Sequence, residues 1–170
     1  MSVAIRRYAD ADHAAVRDLF IRVNRELAPL EHHVAFESYI ARSLAEEIDR
    51  LAAYYAAKQG AFFVVHEDEA FAGMFGLEGL GTPSAELRRM YLDQAFRGRG
   101  LARAMLDRAE QECRDAGTGV LTLSTSELQQ AALAFYRKSK YRLVREETAA
   151  AQTNKTVGGN IRRYYFEKVL

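Results

Sequence analysis

"AFRGRGLARAM", residues 95–105, places Gly98 and Gly100 just ahead of a run with helical apolar spacing and surrounds them with Arg97, Arg99 and Arg103. Glycine is a poor helix former, so two of them at a helix start need a physical reason. The segment before the motif, "AELRRMYL" (85–92), reads as a strand. After it, Leu101, Met105, Leu106, Ala109 and Cys113 recur on one helical face, which stops at Gly117. A strand that runs through a short loop into a helix presents free backbone N–H groups at the positive end of the helix dipole, and these suit phosphate oxygens. Glycines lack a Cβ and let an anion approach the backbone closely. Arg97 and Arg99 add charge of matching geometry. The plainer alternative is a tight turn with a solvated basic edge. The stretch is neither a dinucleotide fingerprint, because the third glycine is missing, nor a P-loop, because no Gly-Lys-Ser/Thr follows.

The rest of the composition narrows the class. A chain of 170 residues suits one domain spanning 1–170, with ample length for one core. Hydrophobic residues make up 49%, yet no apolar run approaches the roughly 20 residues a membrane span needs. The start, "MSVAIRRYADADHAAV", puts its arginines after the apolar residues and then turns acidic, the wrong order for a secretory signal. The lone Cys113 excludes an internal disulfide and fits a reducing compartment, which points to a soluble cytoplasmic protein. A net charge of +1 gives no global pull toward nucleic acid or a membrane. Locally, six arginines (88, 89, 97, 99, 103 and 108) face Glu86, Asp93 and Asp107, a net of +3 centred on the glycine motif. No zinc spacing or EF-hand loop appears, so no metal is expected.

"SVAIRRYA" alternates as a strand, and Val16, Leu19, Phe20, Val23 and Leu27 mark a first helix ended by Pro29. Phe36, Ile40, Leu44, Ile48, Leu51 and Tyr55 mark one long second helix reaching Gly60. "AFFVVH" and "AFAGMFGLEGL" flank a polar turn as a hairpin. "GVLTLSTS" is a strand, Ser126 with Gln129 fits a capping box for a further helix, and "YRLVREET" and "IRRYYFEKVL" close the chain as strands. The order β-α-α-β-β-β-α-β-α-β-β predicts a mixed α/β fold: a mostly antiparallel twisted sheet with helices on both faces. Residues 85–124 should form a parallel pair, joined by a right-handed crossover.

"RGRGLA" resembles the R/Q-x-x-G-x-G/A signature of the GNAT (Gcn5-related) N-acetyltransferases, with Arg97, Gly100 and Ala102 at the defining positions. Downstream, "QQAALAFYRKSKY" resembles the family's N-x-x-A-x-x-F-Y-x-x-x-G-F segment and aligns Ala132, Phe135, Tyr136 and Tyr141. Element order fits over nearly the whole chain. Two positions depart from the pattern: Gln129 stands where Asn is usual, and Lys140 replaces the usual Gly, so that turn either avoids a positive φ or accepts strain.

The resemblance implies the GNAT acyl-CoA N-acyltransferase fold and an enzyme that moves the acetyl group of acetyl-CoA, its co-substrate, to a primary amine in a ternary complex. The loop Arg97, Gly98, Arg99, Gly100, Leu101, Ala102 would cradle the pyrophosphate, with Gln129 and Ala132 also on the cofactor side. A backbone donor for the oxyanion is implied at Met90, Tyr91 or Leu92. Tyr136 aligns with the family tyrosine that faces the thioester sulfur, while its plainer reading is packing beside Phe135. Glu86, six residues before Leu92, is the candidate base, and strand alternation puts it on one face with Arg88, Met90 and Leu92. Its plainer reading is a surface carboxylate paired with Arg88 or Arg89. Glu78 or ordered water are the other options for the base. The acceptor, a small-molecule amine or a protein amine, belongs between residues 28–36 and the loop 149–160. His32 and His33 read as surface residues, Cys113 as a core thiol, and "RRYYF" as structural. A non-catalytic acetyl-CoA sensor or scaffold is the alternative function, and a homodimer is compatible with the resemblance.

Overall fold

A computed structural model describes residues 2–170. In chain order the elements are β1 (Val3–Arg7), α1 (His13–Leu27), α2 (His33–Glu46), α3 (Leu51–Ala57), β2 (Ala61–Glu67), β3 (Ala70–Glu78) and β4 (Ser84–Leu92). There follow α4 (Leu101–Asp115), β5 (Val120–Ser126), α5 (Gln130–Lys138), β6 (Arg142–Ala149) and β7 (Ile161–Val169). The strands form one seven-stranded sheet in the order β1-β2-β3-β4-β5-β7-β6. Every pairing is antiparallel except β4–β5, the parallel pair that the sequence predicts. Among the described residues no helix is long and apolar enough to cross a membrane.

Alternation along β2 shows how the sheet makes two cores. Phe62 and Val64 face Val16, Phe20, Ile40 and Tyr55 from α1–α3, whereas Phe63 and Val65 face Met105, Cys113, Leu133 and Tyr136 from α4 and α5. Helices therefore cover both faces. Cys113 is fully buried, and burial pushes its thiol up to about 11, as a core thiol requires.

The predicted second helix is two helices. Glu47 leaves helical geometry at φ −135°, ψ −65°, and a short 3-10 turn, Ile48–Arg50, leads into α3. Apolar spacing continues through the break, because Ile48 and Leu51 are both buried, and so periodicity alone cannot show it. The break turns the Glu47 carboxylate into the protein, where it is 0% exposed. There Oε1 accepts from Arg88 Nη1 at 2.8 Å and from Arg89 Nη2 at 3.0 Å, and Oε2 accepts from the Tyr55 hydroxyl at 2.8 Å. Gly76 makes room for this: a Cβ there would lie 2.5 Å from the Tyr55 hydroxyl oxygen.

Burial alone would raise the Glu47 carboxyl, but Arg89, Arg88 and the Tyr55 hydroxyl outweigh it and hold it below the usual carboxylate value. Removing the charge leaves two buried guanidiniums short of an anion. Glu47→Gln should therefore cost about 3–5 kcal/mol in urea denaturation at neutral pH. Because the folded-state value is depressed, this stabilisation is complete above the ordinary glutamate pKa of about 4.3. It disappears as pH falls through the folded value, so Glu47→Gln should flatten that part of the acid limb of stability.

Candidate active site

β4 separates the candidate site from the core. Its pairing with β5 covers only Ser84↔Val120 to Glu86↔Thr122, after which the two strands diverge while β5 stays paired with β7 to Ser126. The divergence has a local cause. On β3, Met74 pairs with Tyr91 and Gly76 with Arg88, so Phe75 stands opposite two residues, Arg89 and Met90. This is a β-bulge, and Arg89 occupies it at φ +53°. Past Glu86, the edge of β4 that faces β5 has no strand partner among the described residues, so its N–H and C=O groups open onto a cleft.

The cleft holds about 1020 Å³, its open mouth included, and Glu86, Met90, Tyr91, Gln129, Ala132 and Tyr136 all line it. Six of the sequence-predicted site residues thus meet on one surface. Tyr136 is 7% exposed, and its hydroxyl lies 3.6 Å from Met90 Sδ, directly at the bulge. Burial, with Tyr91 adding to it, pushes the Tyr136 hydroxyl well above its ordinary value, so it is protonated at neutral pH. Gln129 Oε1 accepts from Thr125 Oγ1 at 3.0 Å and from the Ser126 amide at 3.3 Å, tying the end of β5 to the start of α5.

Leu92 and the glycine loop lie beyond the cleft, joined to it through β4. Arg97 Nε donates to the Leu92 carbonyl at 3.2 Å. Gly98 and Gly100 adopt φ +76° and +83°, and a Cβ at either would meet nothing within 4 Å among the described residues. Both the backbone conformation and open space in front of the loop are therefore real features of this motif. Gly100 is the N-cap of α4 and no described side chain caps it, leaving the amides of Leu101, Ala102 and Arg103 directed into that space. Arg97 is about half exposed, and Arg103, in the first turn of α4, donates to Ser139 Oγ at 2.8 Å. Together these groups can hold a diphosphate.

Several expectations change. The bulge breaks alternation, so Glu86 and Arg88 lie on the α1–α3 side of the sheet while Met90 and Leu92 pack toward α4 and α5. Glu86 pairs neither with Arg88 nor with Arg89, but with Lys155 Nζ at 2.6 Å. The six arginines do not form one patch. Arg88 and Arg89 are buried on Glu47, Arg99 is held by Glu67 at 2.6 Å, and Arg108 binds Glu112 and the Ile5 carbonyl. The Leu101 side chain is core, 2% exposed, so only its backbone can serve a ligand. Ser126 and Gln129 meet on a turn ahead of α5 rather than at a helix start, and the capping box is only half formed: Gln129 Oε1 accepts from the Ser126 amide, but Ser126 Oγ accepts from the Leu128 amide. Lys140 takes φ +69°, so the strained alternative is the one realised.

Residues missed from sequence complete the site. Arg88 Nη1 also donates to Glu78 Oε2 at 2.8 Å, which engages that second candidate base in the buried cluster. The β6–β7 loop folds back over α2. Gln152 Nε2 donates to the Ala35 carbonyl, Arg42 donates to the Gln152 carbonyl, and the Asn154 carbonyl accepts from Arg88 and Arg89. The two segments expected to flank the acceptor are in contact.

A family model described as Acetyltransferase (GNAT) family matches residues 25–141. The chain belongs to this family. As a GNAT protein it is similar to human N-acetyltransferase 8, with 24% identity over 110 residues that cover 61% of this chain and 48% of that protein. It is also similar to an IAA acetyltransferase of Azospirillum brasilense, with 38% identity over 56 residues that cover 33% of this chain and 37% of that one. The chain spans about half the length of the mammalian relatives it matches. Among solved structures, the PaiA N-acetyltransferase of Thermoplasma acidophilum, in complex with coenzyme A, aligns over 100% of both chains with TM-score 0.76 and 18% identity. YncA of Salmonella typhimurium, solved with its cofactor acetyl-CoA, aligns over 100% of this chain and 95% of its own with TM-score 0.73 and 18% identity. At these identities the structural likeness establishes the GNAT fold.

The loop glycines admit a direct check. At φ +83° an L-residue is strained, so Gly100→Ala should lower stability by about 1–2 kcal/mol in chemical denaturation.

Proposed function

We propose that this GNAT chain is an N-acetyltransferase that moves the acetyl group of acetyl-CoA to a primary amine by direct attack while both substrates are bound. One observation carries the reading: the unpartnered edge of β4, past its bulge, runs directly into a helix N-terminus with open space and positive-φ glycines. An extended arm can bond the strand edge while its diphosphate meets the amides of Gly100 to Arg103 and the guanidinium of Arg97. The coenzyme A and acetyl-CoA held by the PaiA and YncA structures support the same assignment.

Acetyl-CoA supplies an acetyl group activated as a thioester. A backbone N–H in Met90–Leu92 stabilises the negative charge that grows on the carbonyl oxygen. Glu86, on the cleft wall, takes a proton from the amine, whose ordinary pKa of about 10.4 keeps it charged until a base acts. Tyr136, buried and protonated beside Met90, donates to the departing sulfur. The acceptor enters over α2 and the β6–β7 loop, where Phe36, Tyr39 and Val157 give an apolar approach to Glu86. A primary alkylamine, free or on a protein, fits that approach.

Binding should show as thermal stabilisation, by about 2.7 kcal/mol with acetyl-CoA at one hundred times its dissociation constant and with little effect of ATP. No shift at saturating acetyl-CoA would sink the reading. Stabilisation without CoA release from any primary amine would instead favour a non-catalytic binding module. For the chemistry, Tyr136→Phe should lower kcat by roughly 10²-fold with acetyl-CoA affinity nearly unchanged. Glu86→Gln should remove the acidic limb of the kcat/KM–pH profile, and an unaltered profile would take Glu86 out of the mechanism.

A further inference from the structure

Lys155 sits on the candidate base. Its Nζ lies 2.6 Å from Glu86 Oε1 and 3.7 Å from Glu78 Oε2, and it lines the same cleft as Met90 and Tyr136. A base acts within about 2.6–3.2 Å of the group it deprotonates, and the Lys155 ammonium already meets that distance. The neighbouring backbone is fixed. The Asn154 carbonyl accepts from Arg88 Nη2 at 3.0 Å and Arg89 Nη2 at 2.7 Å, Asn154 Nδ2 donates to the Tyr54 hydroxyl at 3.2 Å, and the Lys155 amide donates to Thr153 Oγ1 at 3.0 Å. The Lys155 side chain itself is 42% exposed. The other lysines lack this setting: Lys168 is bound to Glu110, Lys58 lies over the Tyr54 ring, and Lys138 and Lys140 are at the far end of α5.

Building on the acetyl-transfer reading above, we infer that Lys155 is a site of intramolecular acetylation, with the chain's own ammonium occupying the place of the acceptor amine. Glu86 takes one proton from Nζ and passes it to water. The neutral amine attacks the thioester carbonyl carbon, so that a C–N bond forms and the C–S bond breaks. The second Nζ proton leaves as the amide forms and replaces the one that Tyr136 gives to the departing CoA sulfur, which ends as a thiol. No electrons are exchanged with any other reagent. The product side chain is a neutral amide, which can no longer pair with Glu86 or Glu78. Acetylation therefore vacates Glu86 for an external amine, while Glu78 keeps its bond from Arg88.

The test is to incubate the purified full chain with acetyl-CoA and follow each lysine by peptide mass mapping, alongside thermal unfolding with acetyl-CoA. Lys155 should be acetylated more than roughly tenfold faster than Lys58, Lys138, Lys140 or Lys168, because the fold holds its amine beside the base. The rate per molecule should not change with protein concentration, should fall strongly in Tyr136→Phe, and the label should vanish in Lys155→Arg, which keeps the charge and the ion pair. Equal labelling of all exposed lysines would mean chemical background and overturn the inference. A rate that grows with protein concentration would place the reaction between molecules and overturn it as well. A protein stabilised by acetyl-CoA that leaves Lys155 unlabelled would overturn this inference alone. Absence of stabilisation by acetyl-CoA would overturn it together with the acetyl-transfer reading.

Discussion

Consecutive residues of a regular strand point to opposite faces, yet Arg88 and Arg89 both reach the same carboxylate, Glu47. They do so only because one extra residue is folded into β4 as a bulge, with Arg89 in the left-handed region. Much else depends on that contact. The bulge bends β4 away from β5 and opens the cleft, and reaching inward obliges Glu47 to end α2. Taking ions out of water costs several kcal/mol each, so the cluster must be saturated with hydrogen bonds to persist. Tyr39, Tyr54, Tyr55, Glu78 and the Asn154 carbonyl saturate it. The Asn154 contact carries the order outward, since it pins the loop that brings Lys155 to Glu86.

The cleft has walls of unlike character because they come from different halves of the fold. The α1–α3 side supplies ionised groups held in fixed geometry. The α5 side supplies Tyr136 among Tyr141 and Phe166, an aromatic setting that keeps its hydroxyl protonated. A carboxylate and a hydroxyl thus line one space, the arrangement that the proposed acetyl transfer uses.

Much of the fold was legible because it rests on periodicity and punctuation. Alternation in β2, the helical stripe of α4 and the glycines of its N-terminus each have a local physical signature, and the single parallel pair follows from the strand–helix–strand order. The places of Tyr136 on the cleft and of the glycines at the start of α4 were legible through motif spacing. What failed was whatever depends on partners distant in sequence. Glu47 sits in "AEEID" like any solvated charge, and nothing nearby shows that it turns inward. Lys155 lies in a polar loop whose docking is set by arginines more than sixty residues away. One signal was present and misread. Two adjacent arginines in an otherwise apolar strand cannot both face water by alternation, and "LRRMYL" already implied an irregularity there.

The position of β7 has a consequence for the order in which the molecule is made. It lies between β5 and β6, and among the described residues β6 pairs with no other strand. On the ribosome, β2 to β4 find their antiparallel neighbours by short connections, while β1 pairs with β2 only after the three helices between them have emerged. β5 then waits with one edge held by only a short parallel pairing, and β6 waits with none, until Ile161–Val169 emerges and inserts between them. The wall of the cleft that carries Tyr136 is therefore completed last, after the charged cluster on the other wall has every strand it needs. While residues 127–160 are being made the β5 edge stays open, and that edge is where a chaperone or a wrong strand has its opportunity.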